Sequence, residues 1–438
     1  MEPEPLTASR APEQSAPAPP RPPSTATPAE PSRLGWLDAL RGIAALVVVL
    51  DHSSYSYLPG FRRELVQEFS TSRYGIMVFF LVSGYIIPAS LERRGNVRTF
   101  WIGRVFRIYP LWAAVVTALL AAGLLGFAEV RGGRNAATTA LAHLTLLQEL
   151  LGTPNLLIVL WTLSYEMAFY LLVVALFTVR LHQRSAAVSV TLAVVAAVSA
   201  AAGLVLPASA LSGAIGTGPL VALASITAVV AIRCACAGSP VPRVFGSVLG
   251  GVLALVLVTA NGVVTVWEGL VILAVMFLGT AVYRAESGQT PWRHAVRAAA
   301  VVTACAVGSA CWQGDDSRFT RQAWTIAFLA ALATFGVGLA TRRLRTPGWL
   351  LGLGAISYSV YLVHPVLLAV SDGTFGRSPR DNPVLEVAFY AVLLPLCVLT
   401  YRYVERPGRR WGRDLVHRGQ LRAAARDRRR HGRVVARR

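Results

Sequence analysis

The stretch RGIAALVVVLDH, residues 41–52, sets an arginine and a histidine at the two ends of ten mostly apolar residues. Eleven helical steps of about 100° bring Arg41 and His52 within roughly 20° of one face. At about 1.5 Å per residue they stand roughly 16 Å apart along that face. The segment therefore reads as a membrane helix with an internal polar stripe. Two readings of the stripe compete. In one, Arg41 snorkels to an interface and His52 marks the opposite rim; in the other, both are intramembrane ionisable groups with a function.

The rest of the chain agrees with a membrane setting. Of 438 residues, 54% are hydrophobic and 15% charged, with a mean hydropathy of +0.53. Soluble domains carry about 25% charged residues. The net charge of +20 is carried by arginine alone, because the sequence contains no lysine. That bias, with abundant alanine, points to a GC-rich genome such as an actinobacterium's. The arginines punctuate apolar runs, so loops facing anionic lipid account for them and no nucleic-acid partner is expected. Cys234, Cys236, Cys305, Cys311 and Cys397 lie in or beside apolar segments and read as packing residues, with no metal site expected.

Residues 1–32, rich in Pro, Ala, Ser and Glu, read as a disordered cytoplasmic tail without the features of a signal peptide. Residues 33–405 read as the membrane domain, and 406–438 as an arginine-rich cytoplasmic tail lying at the lipid headgroups. Apolar runs fall near 36–57, 74–91, 109–128, 161–179, 187–206, 217–235, 244–261, 266–283, 296–312, 323–341, 349–370 and 383–404. They predict an all-α, polytopic integral membrane helical bundle of ten to twelve transmembrane helices. Arginine-dense loops such as RLHQRS and TRRLR alternate with acid- and turn-rich ones such as SDGTFGRSPRDNP. The alternation predicts a multi-pass protein of the cytoplasmic membrane with both termini in the cytoplasm. In the 129–160 connection, ALAHLTLLQELLG is too short to cross and reads as a re-entrant or interfacial helix over an outward cavity. Its His143 reads as a local polar contact. No internal repeat of the transporter kind is present.

Several short motifs carry polar groups into these runs. In RYGIMVFFLVSGYIIPASLERR, the small Ser83 and Gly84 allow close helix approach, and Pro88 frees a backbone carbonyl. In RVFRIYP, Arg104 and Arg107 lie three apart at a helix start, a fork suited to phosphates, with ordinary loop charge as the competing reading. WTLSYEMAFY places Glu166 a turn inside the membrane, where a carboxylate should face a cavity or partner a cation. GAISYSVYLVHP puts Tyr358, Tyr361 and His364 in an apolar helix, with Tyr361 and His364 on one face.

In this order the motifs resemble one family, the membrane-bound acyltransferase 3 family of bacterial O-acyltransferases. Its Arg-x10-His is met by Arg41 and His52, and its Phe-Phe-x-x-Ser-Gly-aromatic by FFLVSGY at 79–85. Its Arg-x-x-Arg is met by Arg104 and Arg107, and its Ser-Tyr-Ser-x-Tyr-Leu-x-His by SYSVYLVH at 357–364. Its Trp-Ser-Leu-x-x-Glu appears as WTLSYE, with Thr162 in place of serine. The resemblance covers about 34–410. The family's usual ten-helix core is smaller than twelve runs, and no hydrolase-like domain follows in this sequence.

The resemblance implies transfer of an acyl group from acyl-CoA to a hydroxyl of a sugar, glycan or glycosylated small molecule. The actinobacterial signature favours a macrolide. Acyl-CoA is then a donor substrate, and no cofactor is expected. His52 would be the general base. Arg41 would hold donor phosphate or stabilise charge on the thioester oxygen. Arg104 and Arg107 would grip the CoA phosphates, while Ser83, Glu166, Tyr358, Tyr361 and His364 would line the pocket or orient the acceptor. Asp51 points elsewhere on an ideal helix and reads as a poor triad partner. The alternative is a proton-coupled secondary transporter with His52 and Glu166 as its relay.

Overall fold

The computed structural model describes residues 34–130, 132–133, 135–203, 208–313, 315 and 320–435, with side chains as far as 421. The tail read over 1–32 lies outside the described residues. Among the described residues the chain is helical, with no strand. Helix α1 (Gly35–Tyr57) and the short α2 (Pro59–Glu68) lead into α3 (Thr71–Arg94) and α4 (Val97–Leu124). α5 (Ala136–Thr145) and two single turns, Glu149–Leu151 and Ile158–Leu160, fill the connection to α6 (Trp161–Thr178). Then come α7 (Ser185–Ala201), the short α8 (Ala210–Ile215), α9 (Thr217–Ala235), α10 (Pro240–Ala260) and α11 (Val266–Glu286). The bundle closes with α12 (Trp292–Gln313), α13 (Arg321–Ala340), α14 (Gly348–Phe375) and α15 (Pro383–Thr400). α15 runs through a π-turn at Tyr401–Glu405 into α16 (Arg406–Val435).

Among the described residues, eleven helices are long and apolar enough to cross a membrane. α1, of 23 residues, has the length but carries Asp38, Arg41, Asp51 and His52 and is not among them. With α1 included, each of the twelve apolar runs corresponds to one helix. The largest departure is α4, which begins at Val97 rather than near 109. Gly95, in the left-handed conformation at φ 61, ends α3, and the Asn96 side chain accepts a hydrogen bond from the Thr99 amide to start α4. Those two caps satisfy both helix ends within two residues, so the expected basic loop is a tight corner. Arg104 and Arg107 accordingly lie inside α4, and Pro110 sits within it.

The core centres on α11, buried nearly all round against α3 and α7, and on α1, packed against α14 and α3. Close approach is built into the sequence. A Cβ on Gly84 of α3 would fall 1.8 Å from the Met276 carbonyl oxygen of α11. A Cβ on Gly354 of α14 would fall 2.1 Å from the Asp38 carbonyl oxygen of α1. Gly42 lies against Gly354 and His52 against His364, the same offset of 312 residues. α1 and α14 therefore run parallel and in register over ten residues, and the stripe on α1 meets α14.

Candidate active site

Because of that register, His52 and His364 stack. Their ring centroids are 5.2 Å apart with 14° between planes, and His52 Nδ1 lies 2.9 Å from His364 Nε2. His364 Nδ1 lies 2.8 Å from the Val360 carbonyl oxygen, which can only accept. In the neutral pair His364 therefore carries its proton on Nδ1, and its bare Nε2 accepts from His52 Nδ1–H. That chain leaves His52 Nε2 unprotonated, with its lone pair free. His364 is fully buried, while His52 lines a wide cavity of about 1060 Å³.

Asp51 is not directed away from its neighbour. Its Oδ2 lies 3.9 Å from His52 Nε2, while Oδ1 accepts from Thr71 Oγ at 2.5 Å and from Arg62 Nη1 at 3.3 Å. Arg62 also donates to the Asp51 carbonyl oxygen at 2.6 Å and stacks over the Tyr55 ring at 3.3 Å. No hydrogen bond joins the Asp51 carboxylate to His52; Thr71 and Arg62 hold it instead. On the cavity wall, Arg73 Nε donates to Glu268 Oε1 at 2.6 Å and Nη2 to Oε2 at 3.2 Å. Trp324 Nε1 donates to the same carboxylate at 3.1 Å. The 129–160 connection forms another wall, through Glu149, Asn155 and Leu156–Ile158. In it His143 bonds locally, with Nδ1 at 2.8 Å from the Thr139 carbonyl and Nε2 accepting from the Leu156 amide at 3.2 Å. Burial pushes His143 below the usual imidazole range.

Arg41 opens onto a different cavity. This narrower one, of about 80 Å³, is lined by Arg41, Ser83, Arg104, Arg107, Glu166, Tyr358 and Tyr361 together with Thr162, Ser357 and apolar side chains. Arg104 is only 7% exposed, and its guanidinium lies over the rings of Phe100 and Tyr170 at 5.1 and 5.3 Å. Among the described residues, no carboxylate lies within ion-pair distance of Arg41, Arg104 or Arg107. Glu166 instead accepts from the Tyr170 hydroxyl. Tyr358 donates to the Ile108 carbonyl at 3.0 Å.

The two cavities share no lining residue. Between them, the Tyr361 hydroxyl lies 2.6 Å from Thr162 Oγ and donates to the Val159 carbonyl at 3.0 Å, with Phe79 edge-on to its ring at 5.6 Å. Eight of the nine sequence-derived site residues thus divide as Arg41, Ser83, Arg104, Arg107, Glu166, Tyr358 and Tyr361 on one side and His52 on the other. His364 lies behind His52. The transport reading's His52 and Glu166 line different cavities. Sequence reading missed the His52–His364 contact and the Arg73–Glu268 pair, whose partners lie 312 and 195 residues apart.

A family model described as an acyltransferase domain matches residues 34–402. Acyltransferase MdmB of Streptomyces mycarofaciens is 32% identical over 149 residues, covering 32% of this chain and 38% of that protein. The chain thus spans well under half the length of that relative. No solved structure matches the chain. With the match extending over most of its length, the chain belongs to the acyltransferase family that this domain defines.

Proposed function

We propose that the protein is a membrane O-acyltransferase that moves an acyl group from acyl-CoA to a hydroxyl of a sugar, glycan or glycosylated small molecule. The observation that carries this reading is the tautomer chain from Val360 through His364, which leaves His52 Nε2 free in the wide cavity. His52 Nε2 removes the acceptor hydroxyl proton as that oxygen attacks the thioester carbonyl. The tetrahedral intermediate collapses, the carbon–sulfur bond breaks, and the proton passes from His52 to the departing sulfur. Asp51, 3.9 Å from Nε2, stabilises the imidazolium formed in between. His364 is a positioning residue that fixes the tautomer.

The narrow cavity is the donor's. Three guanidiniums without carboxylate partners, one of them nearly fully buried, suit a polyanion. Arg41 and His52 stand roughly 16 Å apart along α1, a reach that the arm of acyl-CoA between phosphates and thioester spans. The arm passes the Tyr361–Thr162 contact, which opens for it. Arg41 then serves the phosphates rather than the reacting carbonyl. Glu166 and Tyr358 shape the donor pocket, and the acceptor enters the wide cavity. Arginine density in the loops puts the donor cavity and both termini on the cytoplasmic face of the cell membrane.

The test is transfer of isotope from labelled acyl-CoA in purified membranes. Labelled, extractable O-acyl product is expected with the wild type and not with His52→Gln. Label crossing the membrane without covalent transfer would instead support a transporter.

A further inference from the structure

A further guanidinium near the narrow cavity comes from a helix that the family match does not reach. The match ends at residue 402, and α16 begins at Arg406. Gly408 and Gly412 seat α16 directly on α4. A Cβ at Gly408 would lie 2.7 Å from Pro110 Cγ, and one at Gly412 would lie 2.6 Å from Phe106 Cβ. This pair of small residues four apart lets the two backbones approach. It sets Arg409 level with residues 106–110, the turn that carries Arg107.

Glu405 holds Arg409 there. The carboxylate is 1% exposed, accepts from Ser359 Oγ at 3.1 Å and pairs with Arg409 Nη2. Arg409 nevertheless keeps capacity to spare, since its Nε is buried without a hydrogen-bond partner. An N–H left in that state carries a desolvation cost that an incoming acceptor oxygen would relieve. Through Gly408 and Gly412, Arg409 is seated beside the turn of α4 that carries the cavity-lining Arg107, although Arg409 does not itself line the cavity.

We propose that Arg409 is a further donor-binding residue, supplying a fourth guanidinium to a phosphate of a nucleotide thioester. The proposal rests on the donor reading of the narrow cavity. A fourth fork suits a donor that carries both a diphosphate and a separate phosphomonoester, each able to take a guanidinium in bidentate fashion.

The experiment compares two donors on the full-length protein in detergent: acyl-CoA, and the matching S-acyl pantetheine, which lacks the nucleotide phosphates. Arg409→Gln should raise KM for acyl-CoA about tenfold, the scale of one charge-assisted hydrogen bond, and leave KM for S-acyl pantetheine unchanged. Arg409→Lys should recover part of the loss. The double variant Glu405→Gln with Arg409→Gln keeps a neutral hydrogen-bonding pair without a lone buried charge, so it provides the same measurement should the single variant fail to fold. It should show the same donor-dependent pattern. Unchanged KM for acyl-CoA, or an equal rise for both donors, overturns the proposal. Arg104→Gln separates the two failures. If it shows the nucleotide-dependent loss and the Arg409 variants do not, only the role of Arg409 falls. If neither does, the donor reading of the cavity falls with it.

Discussion

His52 of α1 and His364 of α14 are 312 residues apart in sequence, yet their rings stack and share a hydrogen bond at 2.9 Å. The Val360 carbonyl at the far end of this pair determines which nitrogen of His52 is left free. Catalytic behaviour should therefore depend on both rings, in different ways.

His52→Gln keeps size and polarity but cannot take up a proton, so turnover should fall by about 10²–10⁴-fold, the range of a lost general base. His364→Ala leaves His52 present without the acceptor for its Nδ1–H, so a smaller loss with little change in either KM is expected. His364→Asn supplies an amide oxygen that can accept the same bond and should restore part of the rate. Turnover numbers, with gel-filtration profiles to certify folding, decide the matter. A well-folded His52→Gln protein working at the normal rate would falsify the base assignment.

Arg104 and Arg107 line the narrow cavity without carboxylate partners. Replacing both with alanine should raise KM for acyl-CoA by tenfold or more, at about 1.5–3 kcal/mol for each charged hydrogen bond lost, and leave acceptor KM nearly constant. Initial rates with each substrate varied in turn provide the check. Equal shifts for the two substrates would return the pair to ordinary positive charge.

Packing makes a separate prediction at Gly84. A methyl group there would lie 1.8 Å from the backbone oxygen of Met276, so α3 and α11 must separate. Gly84→Ala should destabilise the bundle by about 1–3 kcal/mol, the usual scale of overpacking. Thermal melting in detergent should show a lower midpoint, whereas the same substitution at Gly352, which has open space around it, should not.

Membrane orientation is open to direct labelling. Exposed Ser239, between α9 and α10, and exposed Arg380, between α14 and α15, should lie on opposite faces. Single cysteines at these positions in a cysteine-free background should react with an impermeant reagent from opposite sides, Ser239→Cys from the cytoplasm. Reaction of both from one side would overturn the assigned topology.

The twelve helices were legible because apolar runs are a local property of the sequence. The polar residues of the site were also legible one by one, since an ionisable group in such a run stands out. Their grouping was not. Nothing within residues 41–52 tells that Arg41 belongs with Arg104 and Arg107 while His52 belongs with His364. The register of α1 on α14, fixed by Gly42 and Gly354, makes that division. The start of α4 was hidden for a different reason. RRGNVRT has the composition of a basic loop, and only the left-handed Gly95 followed by the Asn96 cap turns it into a two-residue corner. Asp51 makes no hydrogen bond to His52, in keeping with a poor triad partner, but its carboxylate ends 3.9 Å from Nε2, nearer than helical geometry alone suggests, because Thr71 and Arg62 bind it.

The partition made by Tyr361, Thr162 and the Val159 carbonyl has an electrical consequence. A wet cavity on each side of a bilayer shortens the insulating path, and nearly the whole transmembrane voltage then falls across the thin layer that remains. With the two cavities opening to opposite faces, as proposed, that layer is a tyrosine hydroxyl with its hydrogen-bond partners, an edge-on phenylalanine and the apolar side chains around them. A membrane holding many copies of this bundle keeps its ion gradients only while that layer stays shut between turnovers. Tyr361→Ala should therefore make vesicles leak protons, even where acyl transfer survives.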